Sequence, residues 1–171
     1  MKSKTSLANL QPNLNQIIPV ITKPIIGEIC HQIRFSYGDE LRLDFGKMSA
    51  YTHPKLAHLC KGSWQFGTKA TPWILKQGNQ VLISSLLENN IDNAKLYLQQ
   101  LENKKLINLM IDADNNINIT LCFEGDYQLT LEPDLHDDSG LTYWELFMPT
   151  EQILTVGPGL FWECKSIHEG Y

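Results

Sequence analysis

Three groups of residues have the types, though not the full spacing, that chemistry would need. The first is His53-x4-His58-x-Cys60. Zinc takes three or four nitrogen or sulfur donors on a tetrahedron. His53, His58 and Cys60 supply three, with His31 or the pair Cys164 and His168 available to complete a set. No zinc-binding spacing is matched, so the segment reads as an exposed loop with incidental histidines and a buried cysteine. These three residues stand as metal candidates, but the expectation is a protein with no metal and no cofactor. The second group, Asp112-x-Asp114-x-Asn116-x-Asn118, imitates the start of a calcium loop. Such a loop needs glycine at its sixth position and glutamate at its twelfth. Here Ile117 and Phe123 stand there, and alternating polar residues around a hairpin turn account for the pattern. The third group is the acidic loop Glu132, Asp134, His136, Asp137 and Asp138. Clustered carboxylates can hold Mg²⁺ or shift one another's pKa, but ahead of Ser139-Gly140 they read as a solvated loop. If the chain binds a basic partner, Asp134, His136, Asp137 and Asp138 are where it would do so. The chain contains no phosphate-binding glycine loop and no G-x-S-x-G elbow, so no catalytic residue is assigned.

The elements that must position these residues are mostly strands. Residues 25–47 alternate apolar and polar around Tyr37-Gly38-Asp39-Glu40, which predicts a hairpin. Strand patterns recur at 63–67, 72–76 and 80–84, the last two around Gln77-Gly78-Asn79. Leu87, Ile91, Ala94, Leu98 and Leu101 are spaced as one face of a helix. They predict a main amphipathic helix over about 88–103, with Asn90, Asp92 or a Ser85/Glu88 capping box at its start. Further strands are predicted near 105–113, 116–124, 127–133, 142–148, 151–156 and 160–165. Residues 1–24 form an N-terminal extension. Pro12, Pro19 and Pro24 exclude a long helix there, and part of Leu14 to Ile21 is expected to pack on the body as a short helix or edge segment.

The strand patterns repeat. A shift of 76 residues sets Ile33 on Leu109, Phe35 on Ile111, Leu41 on Ile117, Leu43 on Ile119 and Phe45 on Leu121. A shift of 80 sets Trp64-Gln65-Phe66 on Trp144-Glu145-Leu146, and one of 79 sets Ile74-Leu75 on Ile153-Leu154. The predicted fold is α+β, mostly antiparallel β built from two similar halves (25–84 and 105–165). A pseudo-two-fold relates the halves, the helix lies between them, and residues 25–171 make one domain. Trp64 and Trp144 are expected in equivalent places.

Composition narrows function. With 171 residues, 43% hydrophobic and 19% charged, the chain has a globular balance. A net charge of −5 with dispersed Lys and Arg argues against nucleic-acid binding. No stretch is apolar enough to span a membrane, and the four cysteines form no CxxC pair, so a cytoplasmic location with reduced thiols is expected. Lys2 and Lys4 resemble a basic leader region, but no small-residue cleavage site follows.

Leu43-Asp44-Phe45-Gly46, Gly62-Ser63-Trp64-Gln65-Phe66, Trp73-Ile74-Leu75 and Tyr143-Trp144-Glu145-Leu146-Phe147 follow one another in the chain. This layout resembles a family of small bacterial proteins of unknown function with the order LxFG, GxW, WxI, WEL, over roughly residues 25–165. The resemblance implies a bacterial, intracellular, integrated domain, and it carries no catalytic residue. The function expected is a non-enzymatic binding or protein-interaction module, of the kind that neutralises a partner as immunity proteins do. The partner expected is a basic protein, not nucleic acid or membrane. The alternatives are a small metal-dependent enzyme using His53, His58 and Cys60, or a small-molecule binder with its site between the halves.

Overall fold

The computed structural model describes residues 13–36, 38–69, 71–86, 90–114 and 117–169. Residues 1–12 of the N-terminal extension, Tyr37 of the first turn, Leu87, Glu88 and Asn116 lie outside them. The described residues hold two short α-helices of similar length rather than one main helix, the first within the segment expected to form a short helix or edge. The first, α1 (Leu14–Thr22), is capped by Asn13 and continues into a 3₁₀ turn at Lys23–Ile25. The second, α2 (Ile91–Leu98), is shorter than the predicted segment and ends in a 3₁₀ turn at Gln99–Leu101. The Asn90 carboxamide accepts from the backbone N–H groups of Asp92 and Asn93 and so starts α2. Ala94, Leu98 and Leu101 of the predicted stripe are buried, but Ile91 is 46% exposed. Ile91 opens the first turn of α2, before the helix has met the body.

Among the described residues, eleven strands form one antiparallel sheet. They are β1 (Ile29–Phe35), β2 (Leu41–Ala50), β3 (Cys60–Thr68), β4 (Trp73–Gln77) and β5 (Gln80–Ser84) before α2. After it come β6 (Lys104–Asp112), β7 (Asn118–Phe123), β8 (Tyr127–Leu131), β9 (Trp144–Phe147), β10 (Gln152–Gly157) and β11 (Phe161–Ser166). From the junction of β1 with β6, one wing runs β1-β2-β3-β9-β10-β11 and the other β6-β7-β8-β4-β5. Each wing therefore borrows strands from the other end of the chain. The borrowed pairs include Phe66 with Leu146 and Trp73 with Leu131. The registrations at 79 and 80 residues set β3 on β9 and β4 on β10, strands that hold different places in this order. Trp64 sits inside β3 opposite Phe45, whereas Trp144 begins β9 opposite Thr68.

The two wings face each other. Phe45 of β2 and Phe123 of β7 stack with centroids 6.2 Å apart, although three strand spacings in a flat sheet would separate them by about 14 Å. Phe35 of β1 lies 6.4 Å from Trp73 of β4, four strands away. The sheet must therefore fold at the β1–β6 junction, where the register holds only Ile29 with Lys105 and Cys30 with Lys104. Alternation explains what goes inside. Leu41, Leu43 and Phe45 of β2 are buried, as are Ile119, Leu121 and Phe123 of β7 and Leu129 and Leu131 of β8. Trp64, Trp73 and Trp144 are buried with them. The helices shield the open parts of the seam strands. α1 packs beside β6, where Asn15 Oδ1 accepts from Ala113 N (2.9 Å). The turn after α2 packs beside β1, where Glu102 Oε1 accepts from Ile33 N (3.2 Å). No helix among the described residues is long and apolar enough to cross a membrane.

The two faces of α2 give a direct test. Leu98→Ala is expected to cost about 2–5 kcal/mol in urea denaturation, since it removes a buried side chain and leaves a cavity. Ile91→Ala is expected to stay within about 0.5 kcal/mol. Equal effects would place the wrong side of α2 against the sheet.

Candidate functional site

The metal candidates do not converge. His53 caps the 3₁₀ turn Pro54–Leu56, and its Nδ1 accepts from Lys55 N (3.2 Å). His53, His58 and Cys60 are all exposed. Cys60 begins β3, with its carbonyl accepting from Gln32 Nε2 (3.0 Å), so the expectation of a buried cysteine is corrected. No three His, Cys, Asp or Glu side chains are grouped to share a metal among the described residues. Asp112, Asp114 and Asn118 flank the β6–β7 turn, and Asp114 Oδ2 accepts from Asn15 Nδ2 (3.1 Å), tying the turn to α1.

The acidic loop is built by its own carboxylates. Asp134 Oδ1 accepts from His136 N (2.9 Å), and Asp137 Oδ1 accepts from Ser139 N (3.1 Å). These are turns that Asp side chains close on the following backbone. The loop borders a cleft of about 440 Å³ lined by Ala113, Ile117, Leu135, Tyr143, Pro158 and Leu160, with Asp114 beside them. Three segments meet there: the β6–β7 turn, the acidic loop with the start of β9, and the β10–β11 turn. Leu135 and Leu160 are each half exposed, and Leu141 and Phe161 add further exposed apolar surface on the same two segments. Tyr143 is buried and anchored through its backbone. Its N–H donates to Val156 O (2.8 Å), and its carbonyl accepts from Lys69 N (2.9 Å). Burial pushes the Tyr143 hydroxyl up in pKa, and the charges of Asp137 and Asp134 push it further. Those two carboxylates therefore set a negative potential at the cleft. Proximity of Asp134 and Asp137 to apolar Leu135 and Tyr143 was readable in the sequence, whereas the contribution of Pro158 and Leu160 came from the β9–β10–β11 meander.

A second, smaller cleft of about 250 Å³ lies under the β1–β2 turn, lined by Phe35, Asp39, Trp73, Ser85, Ile91 and Ala94. Trp73 Nε1 donates to Asp39 O (3.0 Å) and holds that turn over the end of β4.

A polar cluster that alternation alone does not reveal lies on the outer face of β1, β2 and β3. Asp44 alternates with Leu43 and Phe45 and so points away from the core, yet it is fully buried. A carboxylate withdrawn from water needs donors. Gln32 Nε2 (2.8 Å), Gln65 Nε2 (2.8 Å) and Gly62 N (2.9 Å) all donate to Asp44, and Arg34 stands 3.6 Å away. A Cβ on Gly62 would fall 2.5 Å from the Phe45 carbonyl oxygen, so only glycine brings this N–H so close. The cover comes from Tyr51, beyond the end of β2. A straight strand would carry residue 51 about 23 Å past Asp44. Instead, a bulge between Phe45 and Met48, with Gly46 at φ +78°, re-aims the β2–β3 arm. The Tyr51 hydroxyl thereby accepts from Arg34 (3.2 Å) and Gln65 (3.4 Å). Burial raises the Tyr51 pKa, but these two donors and the Arg34 charge outweigh it, leaving the hydroxyl below its ordinary value. Lys61 Nζ lies 5.2 Å from the centre of the Tyr51 ring. Two residues before Asp44 on β2, Arg42 reaches Glu145 of β9 (3.5 Å) and sits over Phe147.

No family model, curated protein or solved structure matches the chain. The family resemblance therefore rests on its aromatic and glycine blocks alone.

Asp44→Ala is expected to destabilise the protein by roughly 3–5 kcal/mol, because it strands three donors and a guanidinium. Asp44→Asn keeps one acceptor oxygen and is expected to fall between. Urea denaturation of both variants checks this, and a wild-type midpoint for Asp44→Ala would show that the cluster contributes nothing to the fold.

Proposed function

We propose that this chain is a non-enzymatic protein-interaction module, of the partner-neutralising kind, that captures a basic partner at the acid-rimmed cleft. One observation carries this reading. Exposed Leu135 and Leu160 flank a concave apolar site, and Asp114, Asp134 and Asp137 stand at its edge. An apolar anchor entering a pocket, with opposite charges around it, is how a short segment gains both affinity and orientation. The complementary segment carries a large apolar side chain flanked by Lys or Arg. The net charge of −5 would speed its approach and oppose a polyanion. Four unpaired cysteines fit a reducing compartment such as the cytoplasm.

The same reading takes the chain as a duplicated unit of helix, 3₁₀ turn and five strands. Support comes from the two wings, which run outward from the seam in corresponding order, β1-β2-β3-β9-β10 and β6-β7-β8-β4-β5. The shift of 76 that registers the first hairpins also sets Ile18 on Ala94, Thr22 on Leu98 and Ile25 on Leu101, the buried faces of the two helical segments. In this scheme Trp144 answers to Trp73, not Trp64. Each begins its strand, opposite the last residue of the neighbouring strand, Thr68 for Trp144 and Leu131 for Trp73. The small-molecule alternative would use the cleft at Trp73. The metal-enzyme alternative has only exposed, unclustered side chains to draw on.

Fluorescence anisotropy with paired peptides tests the proposal. A peptide with a central Leu or Phe flanked by lysines is expected to bind, and its glutamate-flanked twin is not. Affinity should fall with salt, and about ten-fold in a variant carrying Asp134→Asn, Asp137→Asn and Asp138→Asn. Equal retention of both peptides would end the proposal.

A further inference from the structure

The outer face of the first wing holds donors that its own structure does not use. Arg34 and Arg42, the only arginines in the sequence, are cross-strand neighbours there. Like charges placed directly opposite oppose pairing, so their presence side by side needs a compensating anion. Glu145 serves Arg42. Asp44 pairs with Arg34 at 3.6 Å, but it shares its two oxygens with two carboxamides and a backbone N–H, so Arg34 gains an ion pair there without a hydrogen bond. The Arg34 Nε atom has no acceptor but is sealed from solvent, so an external ligand would meet the terminal N–H groups of a side chain that keeps 34% of its surface exposed. A guanidinium has five N–H donors, so Arg34 has donors to spare.

Tyr51 is in the same position. Carboxamide and guanidinium nitrogens can only donate, so the Tyr51 oxygen is the acceptor toward both Gln65 and Arg34. Its own proton has no acceptor among the described residues. Two donors, anchored by a buried carboxylate and flanked by the Lys61 ammonium, point to a ligand that only accepts and carries negative charge.

We propose that Arg34 and the Tyr51 hydroxyl form a binding site for a single oxyanion, a carboxylate or a phosphate, with Lys61 adding charge. The Gln65 and Arg34 hydrogen bonds and the Arg34 charge, which hold the Tyr51 pKa down against burial and the nearby Asp44 charge, are groups that would also favour an external anion. Asp44 acts as the positioning residue, because it holds Gln65, which orients Tyr51. Asp44 and Glu145 are the opposing charges on this face, and they restrict the site to one small anion rather than a polyanion.

The test uses the full chain with ¹³Cζ-labelled tyrosine, the Tyr51 resonance being identified by its loss in Tyr51→Phe. Inorganic phosphate and acetate are titrated separately at constant ionic strength, with chloride as the reference. A saturable shift of the Tyr51 resonance is expected with at least one of them, and its pKa should rise by about one unit at saturation. Saturation by phosphate alone assigns the site to phosphate groups, and saturation by acetate assigns it to carboxylates. Arg34→Gln should abolish saturation. In case that substitution unfolds the protein, Tyr51→Phe read at the Gln65 side-chain amide is the second arm, and it should also lose the response. Shifts no larger than those with chloride, or an unchanged response in the folded variants, would overturn the proposal.

Discussion

An antiparallel sheet has two faces, and a chain of this size has few helices to cover either. The β1–β6 seam resolves that constraint. Where β1 and β6 pair for only two residues each, the sheet is free to fold, and its two wings become each other's cover. The Phe45–Phe123 stack and the Phe35–Trp73 contact exist only because of that fold. The seam leaves parts of β1 and β6 unpaired, and unpaired strand edges recruit other chains. α1 and the 3₁₀ turn after α2 lie against those parts. The Asn15 and Glu102 side chains meet backbone N–H groups there, at Ala113 and Ile33 respectively.

Once the wings close on one another, their outer faces and their rims are all that remains for function. The two differ in kind. The rim cleft at Tyr143 is apolar and edged by carboxylates. The outer face of β1–β3 is polar and carries both arginines. Each depends on a local backbone device that departs from regular strand. At the rim, turns closed by Asp134 and Asp137 hold the acidic loop in shape. On the outer face, the Phe45–Met48 bulge turns Tyr51 back over Asp44. One molecule thus presents surfaces of opposite character that do not compete for the same residues.

Much of the strand inventory was legible in the sequence, because a period of two is read directly from residues such as Ile117, Ile119 and Leu121. Most predicted strands coincide with observed ones to within a few residues. The partners were not legible. Alternation says which face a residue occupies but not which strand lies beside it, so Trp64 was matched to Trp144 by local resemblance. Asp44 was hidden for a related reason. An outward polar residue on a strand looks solvated, and what encloses it here is a set of neighbours, Gln32, Gln65 and Arg34, held together by Tyr51 from a segment with no period of its own. α1 was only partly legible, because Pro19 argues against a helix although a short one tolerates it. The acidic loop was recognised from composition, but the apolar floor beside it needed Pro158 and Leu160, which lie far along the chain.

The exchange of strands between wings also governs how the molecule can come into being. A ribosome delivers β3 long before β9, and β4 long before β8. When β1 to β5 have emerged, β3 has one neighbour where it finally needs two, and the β4–β5 hairpin has no sheet to join. The second wing waits for β8, and the first wing waits for β11 near the end of the chain. Long-range pairing of this kind slows folding and keeps hydrophobic strands exposed in the interval. Trp73, wholly interior at the end, spends synthesis in the open. Until β8 and β9 arrive, β3 and β4 each present an unpaired edge on which wrong pairings can form.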